Sequence, residues 1–161
     1  LANGTPNFFL SNLMSSKNKL SAAIKADSTD TLQAVLTKSI DLYLQVRHAH
    51  WNVKGQGFLT IHALFGDIYG MLEGQADVIA ERIVQLGGHA NGTAGEFGAM
   101  KQKGIREFII DIADKLAQYS ADLLKAFNEC TKSGDHGSAN MLIGMCETVD
   151  KQVWLLESNL A

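Results

Sequence analysis

Proline is almost absent: Pro6 is the only one in 161 residues. From Asn7 onward no ring interrupts a helix, which favours an all-helical fold. Cysteine is scarce too. Cys130 and Cys146 form no CxxC pair and no disulfide framework, so a reducing cytoplasm is the expected compartment. No apolar run reaches the roughly 18 to 20 residues that span a bilayer, and no basic start leads into an apolar stretch as a secretory signal would. Neither membrane nor export is expected. A strong excess of one charge is also missing. The net charge of −3 does not suit a strongly basic nucleic-acid binder. The chain is 46% hydrophobic and 19% charged, the make-up of one packed domain.

Residues 1–27 are polar and mixed, with Lys17, Lys19 and Lys25 among Ser and Asn. They read as an N-terminal tail, with a short helical piece near Phe8–Met14. Residues 28–161 carry four amphipathic helical patterns. The first starts at Ser28 or Thr29, both able to cap a helix, and runs to Asn52. Leu32, Val35, Leu36, Tyr43 and Val46 form its apolar stripe. The second runs from Phe58 to Leu86, with Phe65, Ile68, Leu72, Ile79 and Ile83 on one side, and stops at Gly87-Gly88. The third begins near Ile105 and carries Phe108, Ile109, Ile112, Leu116, Tyr119, Leu123 and Phe127. After Ser133-Gly134-Asp135 the fourth carries Leu142, Met145, Val149, Val153, Leu156 and Leu160. The outer connections are short, as between antiparallel neighbours. Residues 87–104, with six glycines, form a loop long enough to run the length of a bundle. The fold class is therefore all-α: a ferritin-like four-helix bundle with a long crossover between helices 2 and 3.

His50 falls in the middle of the first helix's apolar stripe, where an imidazole needs a partner. A core histidine bonded to a backbone carbonyl is one reading, a metal ligand the other. On the second helix, Asp77 and Glu81 lie about 60° and 100° round from His62, on a face distinct from the core stripe. Gly66, Gly70 and Gly74 share that face. A helix gives up about 1 kcal/mol for each glycine relative to alanine, and close approach by another backbone is the simplest compensation. Two imidazoles and two carboxylates suit iron or zinc. His62 and Asp77 are about 22 Å apart along one helix, so they cannot share an ion within a single chain. Two copies packed antiparallel across a two-fold axis would bring His62 of one beside Asp77 and Glu81 of the other. A solvated face with ordinary ion pairs, such as Glu81 with Arg82, is the competing reading.

The run His50-Trp51-Asn52-Val53-Lys54-Gly55, then His62, then Asp77-Val78-Ile79-Ala80-Glu81-Arg82 and Leu86-Gly87-Gly88 resembles the Dps family. These are the DNA-binding proteins from starved cells, mini-ferritins of the ferritin superfamily. The end, Trp154-Leu155-Leu156-Glu157-Ser158-Asn159, is similar to the family's last helix. The resemblance covers residues 30–160. It implies a homo-oligomer, a dodecameric cage, that binds iron. Ferroxidase sites would lie between two-fold-related subunits and oxidise Fe(II) with hydrogen peroxide or dioxygen. Ferric mineral would be stored inside and DNA protected from oxidative damage.

By the same resemblance, His50 and His62 match the two histidine ligands of one subunit, and Asp77 and Glu81 the two carboxylates of its partner. Trp51 matches the tryptophan beside the site. Where the family has Asp or Glu one turn after the second histidine, this chain has Gly66, and Asp67 is turned away by about 100°. The alternative is a DNA-coating or structural cage whose degraded site holds a single iron. Lys17, Lys19 and Lys25 make non-specific DNA a candidate partner, in a cytoplasmic or nucleoid-associated protein. Asp135 and Asn140 stand near where the family builds three-fold pores. His48 points away from His50 and reads as surface, while His89 and His136 have no partner by spacing.

Overall fold

The computed structural model describes residues 16–93 and 101–160. Four helices account for almost all of them: α1 (Ala22–Asn52), α2 (Phe58–Gln85), α3 (Ile105–Ser133) and α4 (His136–Glu157). The helical piece expected near Phe8–Met14 lies outside the described residues, as does the middle of the α2–α3 crossover.

Helix α1 starts about two turns earlier than Ser28 or Thr29. The Ser21 hydroxyl accepts from the Ile24 N–H at 3.3 Å and caps it, so residues 22–27, expected in the tail, are its first turns. Ser28 is buried inside the helix instead. After α2 the chain turns on Gly87 at φ 92°, which L side chains rarely adopt. Gly88 then sits so close that an added Cβ would lie 2.6 Å from Thr29 Cγ2. Asp135 caps α4, accepting from the Ser138 N–H at 3.1 Å. Helix α4 ends at Glu157, so Leu160 lies in the turn beyond it rather than on the helix.

The apolar stripes meet in one core. Leu32, Val46, Phe65, Ile68, Leu72, Ile79, Ile83, Leu116, Leu123, Leu142, Val149 and Leu156 have no exposed surface. Each such side chain contributes about 1.5 to 3 kcal/mol by leaving water. Helix α1 packs against α2 and α3, and α3 against α4. Tyr43, Phe127, Val153 and Leu160, expected in the stripes, are only half-buried. Two polar residues join the core with bonds in hand: the Ser39 hydroxyl donates to the Leu72 carbonyl at 3.2 Å, and the Gln75 amide donates to Thr148 Oγ1 at 2.8 Å. No described helix is long and apolar enough to cross a membrane.

Candidate metal centre

Helices α1 and α2 are joined by a tight turn, which sets the last turn of α1 beside the first turns of α2. There the two histidines meet. Their rings stack with centroids 3.7 Å apart and planes 23° apart. His50 Nδ1 lies 2.8 Å from the His62 carbonyl oxygen, and His62 Nδ1 lies 2.9 Å from the His50 carbonyl oxygen. A carbonyl only accepts, so each Nδ1 carries the proton and donates it. In the neutral imidazole each Nε2 is then the nitrogen with the lone pair, the form in which the ring binds a metal. The backbone-bonded histidine and the metal ligand are thus compatible readings of His50.

Position 66 faces this pair. A Cβ there would touch His50 Cε1 at 3.5 Å and Nδ1 at 3.7 Å, ordinary van der Waals contact. Further along α2, nothing lies within 4 Å of a Cβ at Gly70 or Gly74. Among the described residues the glycine face is therefore open at these two positions, and none of the four helices covers it there. Asp77, Glu81 and Glu73 are exposed on that face. The Glu81–Arg82 pair of the competing reading is not among the described ion pairs. Arg82 turns inward instead, bonding Asp135 Oδ1 at 2.9 Å and Ser138 Oγ at 2.9 Å. The described ion pairs include neither Asp77 nor Glu81. No group of three or more His, Cys, Asp or Glu among the described residues is gathered closely enough to hold an ion. One chain brings His50 and His62 together and leaves the two carboxylates apart from them.

Other candidates fall in different places. Trp51 is 65% exposed, with the Arg47 guanidinium carbon 5.4 Å from its ring centroid. His48 is a correction: it is half-buried, its ring leans on Phe108 at 6.3 Å, and its Nε2 is sealed from solvent. Packing of α3 covers what the α1 pattern alone leaves open. Asp135, placed near a pore by resemblance, is buried in the Arg82 pair. Burial works to raise its pKa, but the Ser138 hydroxyl and N–H and the Arg82 charge outweigh it and hold the carboxyl below its ordinary value. Both cysteines are buried and free, and burial pushes the Cys130 thiol up to about 11 and raises Cys146 as well, which disfavours the reactive thiolate.

Comparison with known proteins agrees with this architecture. A ferritin-like domain model matches residues 29–161. The DNA protection during starvation protein of Agrobacterium fabrum is 32% identical over 152 residues, 89% of this chain and 94% of that protein. The chain belongs to the Dps family. A Dps relative of Helicobacter pylori, also named a DNA protection during starvation protein, is 31% identical over 142 residues, 82% of this chain and 97% of its own length. An archaeal Dps homologue from Halobacterium salinarum superposes with a TM-score of 0.85 at 23% identity, covering 99% of this chain and 92% of that one, which speaks for the Dps fold alone.

Sequence periodicity missed Glu73, although it lies only about 20° from His62 on the α2 wheel. It also missed the aromatic neighbours of the histidines. Phe58 stands 5.0 Å from His62 and Tyr69 5.1 Å from His50. Their i, i+4 and i+7 spacing from His62 and Glu73 was the available signal.

Proposed function

We propose that this Dps-family protein is a ferroxidase and iron store that assembles as a twelve-chain cage and protects DNA by removing Fe(II) and peroxide. The observation that carries the reading is the stacked histidine pair, with both Nε2 lone pairs free and half of a ligand set still missing. The α2 face supports how the other half is supplied. About the midpoint between Met71 and Leu72 it is nearly self-complementary. In an antiparallel pair of α2 helices His62 stands opposite Glu81, Gly66 opposite Asp77, and Leu59 opposite Val84. Leu59 is 78% and Val84 54% exposed in the single chain, as befits an apolar rim awaiting a second copy. Gly70 and Gly74 let the backbones approach. Such an isologous contact produces two equivalent sites.

In each site His50 and His62 would bind Fe(II) through Nε2, and the second copy's Asp77 and Glu81 would add hard oxygens. Two Fe(II) ions each give up one electron to hydrogen peroxide. Its O–O bond breaks, two protons are taken up, two waters form and no hydroxyl radical is released. The ferric product is then stored as mineral. Gly66 leaves the site one carboxylate short, which specifically favours a second reading in which each site holds a single iron.

Light scattering of the purified protein should report a closed oligomer of about 200 kDa. Stopped-flow oxidation of Fe(II) by peroxide should be saturable in the wild type. It should weaken by about 10- to 100-fold in Fe(II) affinity for His62→Ala and for Asp77→Ala alike. A stable monomer that oxidises Fe(II) as fast as His62→Ala would end the reading. Equal sensitivity to both substitutions is the mark of a shared site. Non-specific DNA binding is tested separately by mobility shift at low and high salt. Lys25 donates to the Ser16 carbonyl at 3.3 Å, while Lys17 and Lys19 are exposed, so binding through them should vanish as salt rises.

A further inference from the structure

The histidine pair does not stand alone. It is the middle of a continuous column of rings drawn from both α1 and α2. Phe58 lies against His62 with centroids 5.0 Å apart and planes at 33°. His62 stacks on His50 at 3.7 Å. Tyr69 meets His50 at 5.1 Å and 79°, and Tyr43 meets Tyr69 at 6.2 Å and 69°. Arg47 closes the far end. Its guanidinium carbon lies 5.5 Å from the Tyr69 ring, 5.7 Å from Tyr43 and 5.4 Å from Trp51, and it donates to the Tyr43 hydroxyl.

Core packing alone does not account for this column. Phe58 remains 37% exposed and Tyr69 is half-buried, yet each spends a ring face or edge on an imidazole. An imidazole held only by its Nδ1 bond still rocks about that bond, and its Nε2 lone pair sweeps with it. Rings on both sides of the pair remove that freedom. Arg47, over three aromatic faces, in turn holds Tyr69 in place.

We infer that Phe58 and Tyr69 are positioning residues, which clamp the His50–His62 stack so that both Nε2 lone pairs are aimed before any metal arrives. The inference rests on the reading of His50 and His62 as iron ligands. It adds that ligand order is built into the chain, so metal binding does not have to supply it.

The test uses the full chain as assembled, in two arms. The first reads the metal-free protein. Solid-state NMR of histidine-labelled protein, assigned with His50→Gln and His62→Gln, reports which ring nitrogen is protonated and how sharply each ring is ordered. Wild type and Tyr69→Phe should show a single Nδ1–H form with narrow lines. Tyr69→Leu and Phe58→Leu should show broadened signals with a share of the Nε2–H form. The second arm is anaerobic titration with Co(II), which is not oxidised there, alongside Fe(II) oxidation kinetics. Tyr69→Leu and Phe58→Leu should weaken Co(II) binding and raise the Fe(II) KM by about tenfold with kcat little changed. Tyr69→Phe, which keeps the ring, should restore both.

Wild-type tautomers, line widths and KM in both leucine variants would overturn the inference. A Tyr69→Leu chain that fails to assemble leaves Phe58→Leu to decide, since Phe58 is part-exposed at the start of α2 and its loss is expected to disturb the core less. The two readings fail differently. A wild type that binds no Co(II) and oxidises no Fe(II) refutes the ligand assignment, while the NMR arm still decides whether the rings hold the histidines.

Discussion

The two halves of α2 are finished to different degrees. At the N-terminal half, His62 and its α1 partner His50 are stacked, bonded to each other's carbonyls and flanked by rings. At the C-terminal half, Asp77 and Glu81 stand in solvent without a described ion pair, on a face that Gly70 and Gly74 leave bare. The difference does not come from a loose C-terminal half. Ile79 and Ile83 are fully buried, and Arg82 is tied to Asp135 and Ser138. That half is packed and bonded on its inner side and, among the described residues, uncovered on its outer side. Under the proposed assembly the well-held outer face is where the second copy packs, whereas the histidine end takes its shape within one chain.

The largest test of this contrast strikes the inner anchor. Asp135→Ala would leave the Arg82 guanidinium partly buried without its carboxylate and remove the α4 cap. Breaking such a pair costs about 3 to 5 kcal/mol, and denaturant unfolding should show a loss of that order. The pH dependence has a definite sign. The Asp135 carboxyl is held below its ordinary value, so its stabilisation is present above the unfolded pKa of about 3.9. It fades as pH falls through the lower folded value. Wild type should lose stability in that acid window, and Asp135→Ala should lose less there. A mutant within 1 kcal/mol of wild type would mean that α2 is not anchored through Asp135.

Glycines supply the next two tests, because they serve opposite purposes. A Cβ at Gly88 would lie 2.6 Å from Thr29 Cγ2 and 3.0 Å from Ile83 Cγ2. Gly88→Ala should therefore destabilise by about 1 to 3 kcal/mol through overpacking, read as a lower denaturation midpoint. A Cβ at Gly70 or Gly74 would meet nothing within 4 Å among the described residues. Alanine at either should stabilise α2 by about 0.5 to 1 kcal/mol in any state where that face is free. If the same substitutions shift light scattering toward smaller species, the face is one that another copy approaches closely. Higher stability with unchanged assembly would remove the glycines from the interface.

Much of this was legible in the residues. Period 3.6 placed Phe65, Ile68, Leu72, Ile79 and Ile83 in the core, and all five are buried. The same wheel set His62, Asp77 and Glu81 on one separate face. What periodicity could not resolve was tertiary. Ser21, Ser28 and Thr29 are all competent caps, and only the packing that buries Ser28 leaves the role to Ser21. His48 looks exposed on its own helix until Phe108 of α3 is laid beside it. The reciprocal histidine–carbonyl bonds depend on how the α1–α2 turn sets two backbones side by side, and no single-helix wheel contains that.

Gly66→Asp is the smallest change in stability and the most direct question about the vacant side of the site. Position 66 touches the His50 ring at 3.5 Å, a contact that a Cβ fills without displacing anything. Overpacking within the chain is therefore not expected, and replacing a helix-interior glycine gains a few tenths of a kcal/mol, on the order of 0.3. The chemical effect should be larger than the structural one. The new carboxylate stands one turn after His62, beside the lone pairs, and adds a hard oxygen that suits Fe(II). In an antiparallel α2 pair it also comes opposite the second copy's Asp77. That proximity favours a second metal ion between them and is costly without one, since two carboxylates that close repel. Anaerobic Fe(II) titration should show higher stoichiometry or tighter binding. Assembly of the metal-free variant should be weakened and should recover on adding Fe(II). An intact Gly66→Asp cage that gains neither ions nor affinity would show that the missing carboxylate is not what limits the site.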